Sequence, residues 1–269
     1  MRVVSFNVNG IRARFHQLQA LVTAQEPDLI GLQEIKVDDA EFPAAELAHL
    51  GYQMHWHGQK GHYGVAILHR LQCLSEQKGF PSDEDDAQKR FIHLSFNFRN
   101  NSQLHVINGY FPQGSDRNHP VKFPAKIAYY QELRRYLNCH FSPMDQVIVM
   151  GDMNVAPQDI DIGIGEDNRK RWLGTGKCAF LPEERELYQA MIDWGLVDTF
   201  RQLHPNDDSR FSWFDYRSRG FEAVPKRGLR IDMILASKGL AEQIKDAGID
   251  YSIRAMDKPS DHCPIWAQF

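Results

Sequence analysis

Acids and amides stand at the ends of apolar runs throughout this 269-residue chain. Asp152 and Asn154 close VIVMGDMN, Glu34 closes DLIGLQE, and Asn7 lies within SFNVNG. Asp232 is embedded in LRIDMILAS, and Asp261 and His262 immediately precede CPIW. A carboxylate beside a buried segment loses hydration, which is costly unless a cation or hydrogen bonds compensate. Converging carboxylates repel one another, and a bound divalent cation relieves that repulsion. Oxygen donors from Asp, Glu and Asn suit a hard ion, Mg²⁺ or Mn²⁺. With no compact Cys/His cluster along the chain and no H-E-x-x-H, zinc is not expected.

Each position alone also has a plainer reading. Asp152 can be a turn former or helix cap, and Asn7 can satisfy backbone groups near Gly10. Asp232 can pair with Arg230 or another base, and the Asp261–His262 pair can cap the PSDHCP turn. For His262 a chemical role is open as well: a neutral imidazole near a cation and a phosphate accepts a proton from water. Adjacent side chains of an extended chain point to opposite faces, so a carboxylate other than Asp261 is expected to orient that ring. The chain has no G-x-S-x-G, which leaves acyl-enzyme hydrolysis without support.

These residues need rigid carriers. VVSFNV, DLIGLQE, GVAILH, FIHLSFNF, QLHVINGYFP, QVIVMGD, FSWFDYR, LRIDMILAS and CPIWAQF all read as strands. Helical spacing of apolar residues follows Gly10 up to Pro27, recurs after Pro124, and recurs again from Pro182 to Phe200. FPAAELAHLGY reads as a short helix, and the polar stretch from 156 to 180 is expected to carry only short local structure. Strands interleaved with a few helices indicate a layered α/β domain, with the last strand completing a core that the first begins.

Composition narrows the class. Lys and Arg number 31 against 35 Asp and Glu, a net charge of -4, so a polyanion site must be a local patch. No apolar run approaches the length of a membrane span. MRVVSFNVNG reads directly as a strand and not as a secretory signal. The four Cys are far apart, which is the pattern of reduced thiols in a cytoplasmic protein.

Taken together, SFNVNGIRAR, DLIGLQEIKV, HGQKGHYGVAIL, INGYFPQG, VIVMGDMNVAPQDIDIG, RFSWFDYRS, LRIDMILAS and PSDHCPIW resemble, in this order and over residues 1–269, the exonuclease–endonuclease–phosphatase family and its exonuclease III and abasic-site endonuclease group. The resemblance implies one catalytic domain built as a four-layer α/β sandwich, two packed mixed β-sheets flanked by helices. It implies metal binding around Glu34, Asn7, Asp152, Asn154, Asp261 and His262. Asp152 is expected to activate or position the attacking water, Asn154 and Tyr110 to bind phosphate, and Asp232 to orient His262. Asp152 and His262 both stand as candidates for the base.

The same resemblance implies a monomeric enzyme acting on double-stranded DNA. Its expected reactions are 3′-to-5′ exonuclease action, cleavage 5′ to abasic sites and removal of 3′ blocking groups. Arg90, Gln113 and Lys122 are expected to approach the DNA. Trp213, Phe214 and Leu229 are expected near a pocket for the abasic sugar, held out of the base stack.

Overall fold

The computed structural model describes residues 1–99 and 102–269. Among the described residues, twelve strands form two six-stranded mixed sheets. The first sheet contains β1 (Arg2–Asn7), β2 (Leu29–Gln33), β3 (Gln53–His57), β4 (Val65–His69), β11 (Asp246–Ile249) and β12 (Ile265–Gln268), in the order β11-β12-β1-β2-β4-β3. The second contains β5 (Cys73–Lys78), β6 (Phe91–Asn97), β7 (Gln103–Tyr110), β8 (Gln146–Asp152), β9 (Leu196–Asp198) and β10 (Asp232–Ser237), in the order β5-β6-β7-β8-β10-β9. Only β1–β2 and β7–β8 run parallel; the other pairings are antiparallel.

Strand alternation builds the layers. Val3, Leu29, Val65 and Ile67 of the first sheet meet Ile92, Leu94, Val106, Ile148 and Ile234 of the second in one shared core. The alternate residues Val4, Phe6, Ile30 and Leu32 face outward against Leu18 and Leu21 of α1 (Phe15–Gln25) and Leu47 of α2 (Ala44–Leu47). On the other side, Ile107, Val149, Met233 and Leu235 pack under α3 (Lys122–His140) and α5 (Pro182–Trp194) through Tyr130, Leu133, Tyr188 and Met191. The order is helix, sheet, sheet, helix, the four-layer α/β sandwich. Because both faces of each sheet are covered, the central strands read as unbroken apolar runs. The chain ends meet: Met1 and Phe269 exchange backbone hydrogen bonds, so the last strand does complete the first sheet.

Several expectations are corrected. FSWFDYR forms no strand; Trp213 makes only isolated bridges to Leu229 and His262. The stretch from 156 to 180 carries a ten-residue helix, α4 (Glu166–Thr175). FPAAELAHLGY forms the short helix α2, continued by a single 3-10 turn over Ala48–Leu50 that stops at Gly51 as expected. The strands β3, β5, β9 and β11 lacked a readable signal, β3 and β5 being polar edges and β9 and β11 only three and four residues long.

Arg230 does not pair with Asp232. Its guanidinium donates to Asp161 (2.6 Å) and Asp198 (2.8 Å), and Arg201 also reaches Asp161 (2.5 Å). This ionic cluster anchors the loop before β10, and the Arg230 guanidinium donates to the Asp161 carboxylate beside a backbone bond from the Arg230 N–H to the Asp161 carbonyl.

Candidate active site

The acids converge where strands of both sheets end on one edge of the sandwich. Asn7 ends β1, Asp152 ends β8 and Asp232 begins β10, directly opposite Asp152 in the antiparallel register. Glu34 follows β2 with a left-handed backbone (φ 52°), and Asn154 shares that conformation (φ 52°). Such backbone costs energy for a non-glycine residue and persists where the surroundings hold it. For Asn154 the surroundings are explicit. The buried Lys126 ammonium donates to the Asn154 carbonyl (2.7 Å) and to Glu184, while Tyr130 Oη donates to the Met153 carbonyl (2.7 Å). Gly151 is also required, since a Cβ there would lie 1.9 Å from the Gly109 carbonyl oxygen on β7.

Asn7 joins the two sheets at the site. Its Nδ2 donates to Glu34 Oε1 (2.9 Å) and Asp152 Oδ2 (3.0 Å), and its Oδ1 accepts from the Asn9 N–H (3.0 Å). Its amide nitrogen, and not its oxygen, therefore faces the acids. Asp152 Oδ1 accepts from the Asn154 N–H (3.0 Å), and Asn154 Nδ2 donates to the Phe111 carbonyl (3.0 Å). His262 is held from behind: Nδ1 donates to Asp232 Oδ2 (2.8 Å), leaving Nε2 3.7 Å from Asp152 Oδ2. Asp261 points away from the ring and accepts from Asn9 Nδ2 (2.9 Å) and Trp213 Nε1 (3.0 Å). The orienting carboxylate is thus Asp232, as the opposite-face argument requires.

The electrostatics follow from this crowding. Burial pushes the Asp152 carboxyl up to about 7, against the pull of His262 and with repulsion from Asp232 and Glu34 added. Burial opposes a charge on His262, but Asp232 and Asp152 outweigh it and raise the imidazole to about 10. Glu34 is partly buried, which opposes its charge, yet hydrogen bonds from Asn7 and Lys36 hold it below the usual carboxylate range. Burial, with Glu34 and Asp152 nearby, pushes the Tyr110 phenol well above its ordinary range. Glu34, Asp152 and His262 each offer a ligand atom within 4.8 Å of the others. Two carboxylates in mutual repulsion, with hard oxygen donors at this spacing, fit a divalent cation.

The acids open into a cleft of about 260 Å³, also lined by Tyr110, Gln113, Asn154, Trp172, Lys177, Trp213, Leu229 and Ile231. Arg90 is buried beside it, its guanidinium between Tyr63 (3.9 Å) and Tyr110 (4.6 Å) and donating to the Tyr110 carbonyl (3.0 Å). Lys122 is exposed at the start of α3 and does not line the cleft. Phe214 is likewise not in the cleft: it is 0% exposed and packs edge-on against Phe211 and Phe221 in the core between the sheets. Trp213 and its neighbour do face opposite sides, and only Trp213 and Leu229 reach the cleft.

The chain belongs to the endonuclease/exonuclease/phosphatase family. Its family model matches residues 4–262, nearly the whole chain. An exodeoxyribonuclease III of Haemophilus influenzae is 55% identical over the full length of both chains. A 3′ phosphatase from Neisseria, solved bound to product DNA hairpin, superposes with a TM-score of 0.89 at 34% identity, covering 100% of this chain and 99% of its own. An AP endonuclease from Archaeoglobus fulgidus gives a TM-score of 0.89 at 33% identity with the same coverage.

The family resemblance and the positions of the acids were readable from sequence; several supporting residues were not. Lys177 lies over the Trp172 ring (3.6 Å) at the cleft wall, in a stretch without a distinctive pattern. Ser260 Oγ donates to the Asn7 carbonyl (2.7 Å), and Ser212 Oγ accepts from the Asp232 N–H (3.0 Å). Lone serines and buried lysines give no periodic signal, so only the fold reveals them.

Proposed function

We propose that this chain is a divalent-metal-dependent DNA repair nuclease of the exonuclease III type, with one catalytic domain spanning residues 1–269. Its reactions are hydrolysis 5′ to abasic sites in duplex DNA, 3′-to-5′ exonuclease action and removal of 3′ blocking groups. It works as a monomer in the cytoplasm, where its four unpaired cysteines stay reduced. The observation that carries this reading is the meeting of Glu34, Asp152 and the Asp232–His262 pair at the mouth of a cleft. The names of the relatives point to the same chemistry.

Glu34 and Asp152 are the residues to hold Mg²⁺ or Mn²⁺, with Asn7, Asn154, Asp261 and His262 around them; Asn7 joins the ligands by turning its amide oxygen inward. A bound divalent ion supplies charge stabilisation to the phosphoryl oxygens and acidifies water. The chain supplies the rest. Asp152 is fixed by hydrogen bonds on both oxygens and takes the proton of the attacking water. His262 lies between two carboxylates, which favours imidazolium, and directs Nε2–H at the phosphate. Asn154 and Tyr110 contribute further donors, the phenol staying protonated. Arg90 and Gln113 meet the DNA backbone near the cleft and Lys122 meets it further out. Trp213 and Leu229 receive the bare sugar, with Phe214 as the packed support behind Trp213.

The test offers the protein three substrates: duplex DNA with a single abasic site, intact duplex, and an inositol phosphate, with Mg²⁺ present or chelated. Metal-dependent cutting of the abasic strand supports the reading. No cutting in any divalent metal, or preference for the inositol phosphate, overturns it.

A further inference from the structure

A second group of metal-ligating side chains lies at the opposite rim of the core, away from the acids. His55 of β3, His69 of β4 and Cys73 of β5 each offer a ligand atom within 4.8 Å of the others. The linear sequence conceals this group because its members sit on three strands and two sheets. In the antiparallel β3–β4 register His55 faces Ile67, which places His69 diagonally beside it on the face toward the second sheet. Cys73 comes from the edge strand of that second sheet, where a register shift between Cys73 and Ser75 interrupts the β5–β6 ladder. Bulges of this kind re-aim a side chain.

His69 is the decisive residue. It is 0% exposed, and its Nδ1 lies 2.9 Å from the Leu71 carbonyl, which fixes the proton on Nδ1. The remaining lone pair is on Nε2, which is buried and finds no partner among the described residues. An imidazole held by a backbone carbonyl through one nitrogen, with the other bare, is prepared as a metal ligand. Stacking on His55 (5.2 Å between centroids) and edge contact with Phe96 (4.9 Å) fix its plane. Glu76 Oε1 lies 3.4 Å from His55 Nδ1 and the same distance from Lys78 Nζ, supplying a carboxylate beside the group.

We propose that His55, His69 and Cys73 bind a structural Zn²⁺ ion, with Glu76 as fourth ligand or as the partner orienting His55. Two imidazoles and a thiolate suit zinc and not the hard ion of the acid cleft. Ligands of a tetrahedral zinc with bonds of about 2.0–2.3 Å stand roughly 3.3–3.8 Å apart, inside the 4.8 Å that bounds the present spacing. Binding forms a zinc–sulfur bond and releases the Cys73 thiol proton to solvent. The ion ties β3, the edge of one sheet, to β5, the edge of the other.

Co²⁺ serves as the optical probe, titrated into untagged full-length protein freed of metal. In wild type one equivalent of Co²⁺, apart from any held in the acid cleft, is expected to produce a thiolate-to-cobalt charge-transfer band that added Zn²⁺ abolishes. Glu34→Gln, which alters only the acid cleft, retains the band. Cys73→Ser loses it, and His55→Ala, at a partly exposed position, binds at least tenfold more weakly. No such band in wild type overturns the proposal, as does an unchanged band in Cys73→Ser. Undiminished affinity in His55→Ala overturns the ligand set.

Discussion

Two buried ionic clusters lie at either end of the segment from Arg230 to Asp232, and they are built on opposite charge balances. In one, Arg230 and Arg201 face Asp161 and Asp198, two cations against two anions, with every carboxylate bonded. Asp161 accordingly titrates low in spite of its burial, held down by Arg230 and then Arg201. In the other, Glu34, Asp152 and Asp232 share only His262 and the rim residue Lys36. Burial, with repulsion from Asp232 and Glu34 added, pushes Asp152 up to about 7. In the first cluster both carboxylates are matched by guanidinium charge. The second carries an anionic surplus at the mouth of a cleft, which is the condition for holding a cation and acting on a phosphodiester.

Removing charge should therefore have opposite consequences in the two places. Asp152→Asn is expected to lower single-turnover cleavage of abasic duplex by about 10²–10⁴-fold, the usual worth of a positioned acid–base group. The same change should leave the unfolding midpoint in urea equal or higher, because it relieves repulsion. A fall in both activity and midpoint would break the contrast. Arg230→Met is expected to cost about 3–5 kcal/mol of stability, since it strands Asp161 and Asp198. Calorimetry or urea unfolding checks this, and a change under about 1 kcal/mol would show that the cluster does not depend on Arg230.

Sheet packing and the acid cleft differ in how much of them could be read beforehand. Central strands announce themselves through apolar runs, because covering both faces leaves no polar alternation to confuse. The shortest strands and the edge strands fail: CLSEQK in β5 carries no more apolar character than a loop. At the site, Asp152 and Asp232 were visible as acids against buried runs, yet their direct pairing across β8 and β10 is a matter of register. Of the two partners open to Asp232 in the sequence, Arg230 or another base, the second holds, in His262, and the pairing with Arg230 does not form. It fails because the side chains of Arg230 and Asp232 are separated by a strand entry, Arg230 turning to Asp161. Phe214 shows the same limit: alternation places it opposite Trp213 but does not say which of the two faces solvent.

The cation itself sharpens the contrast. Mg²⁺ at about a hundred times its Kd should stabilise the wild type by about 2.7 kcal/mol through binding to the folded state alone. Glu34→Gln should lose most of that gain in thermal unfolding with and without chelator. An equal gain in both proteins would place the ion elsewhere. The smallest effect concerns a buried group with no counter-charge. Burial drives the His93 imidazole down to about 3, with Tyr136 Oη 2.9 Å from Nδ1 and His105 3.1 Å from Nε2. The unfolded chain takes up that proton near 6.5 and the folded chain only near 3. Stability is thus full above about pH 6.5 and falls as pH drops toward 3, by on the order of 1 kcal/mol per pH unit. His93→Gln should flatten that slope in urea titrations between pH 7 and 5.5. An unaltered slope would assign it to other groups.

The central claim is that the anionic surplus at Glu34 and Asp152 exists to bind a divalent cation for phosphodiester hydrolysis. Its most direct test is single-turnover cleavage of a duplex with one abasic site, measured across a Mg²⁺ titration for wild type and Glu34→Gln. The account predicts no cleavage under chelation, saturable activation of the wild type, and a Glu34→Gln curve displaced to higher Mg²⁺ with a lower plateau. Superimposable titration curves for the two proteins, or cleavage that persists in chelator, would contradict it.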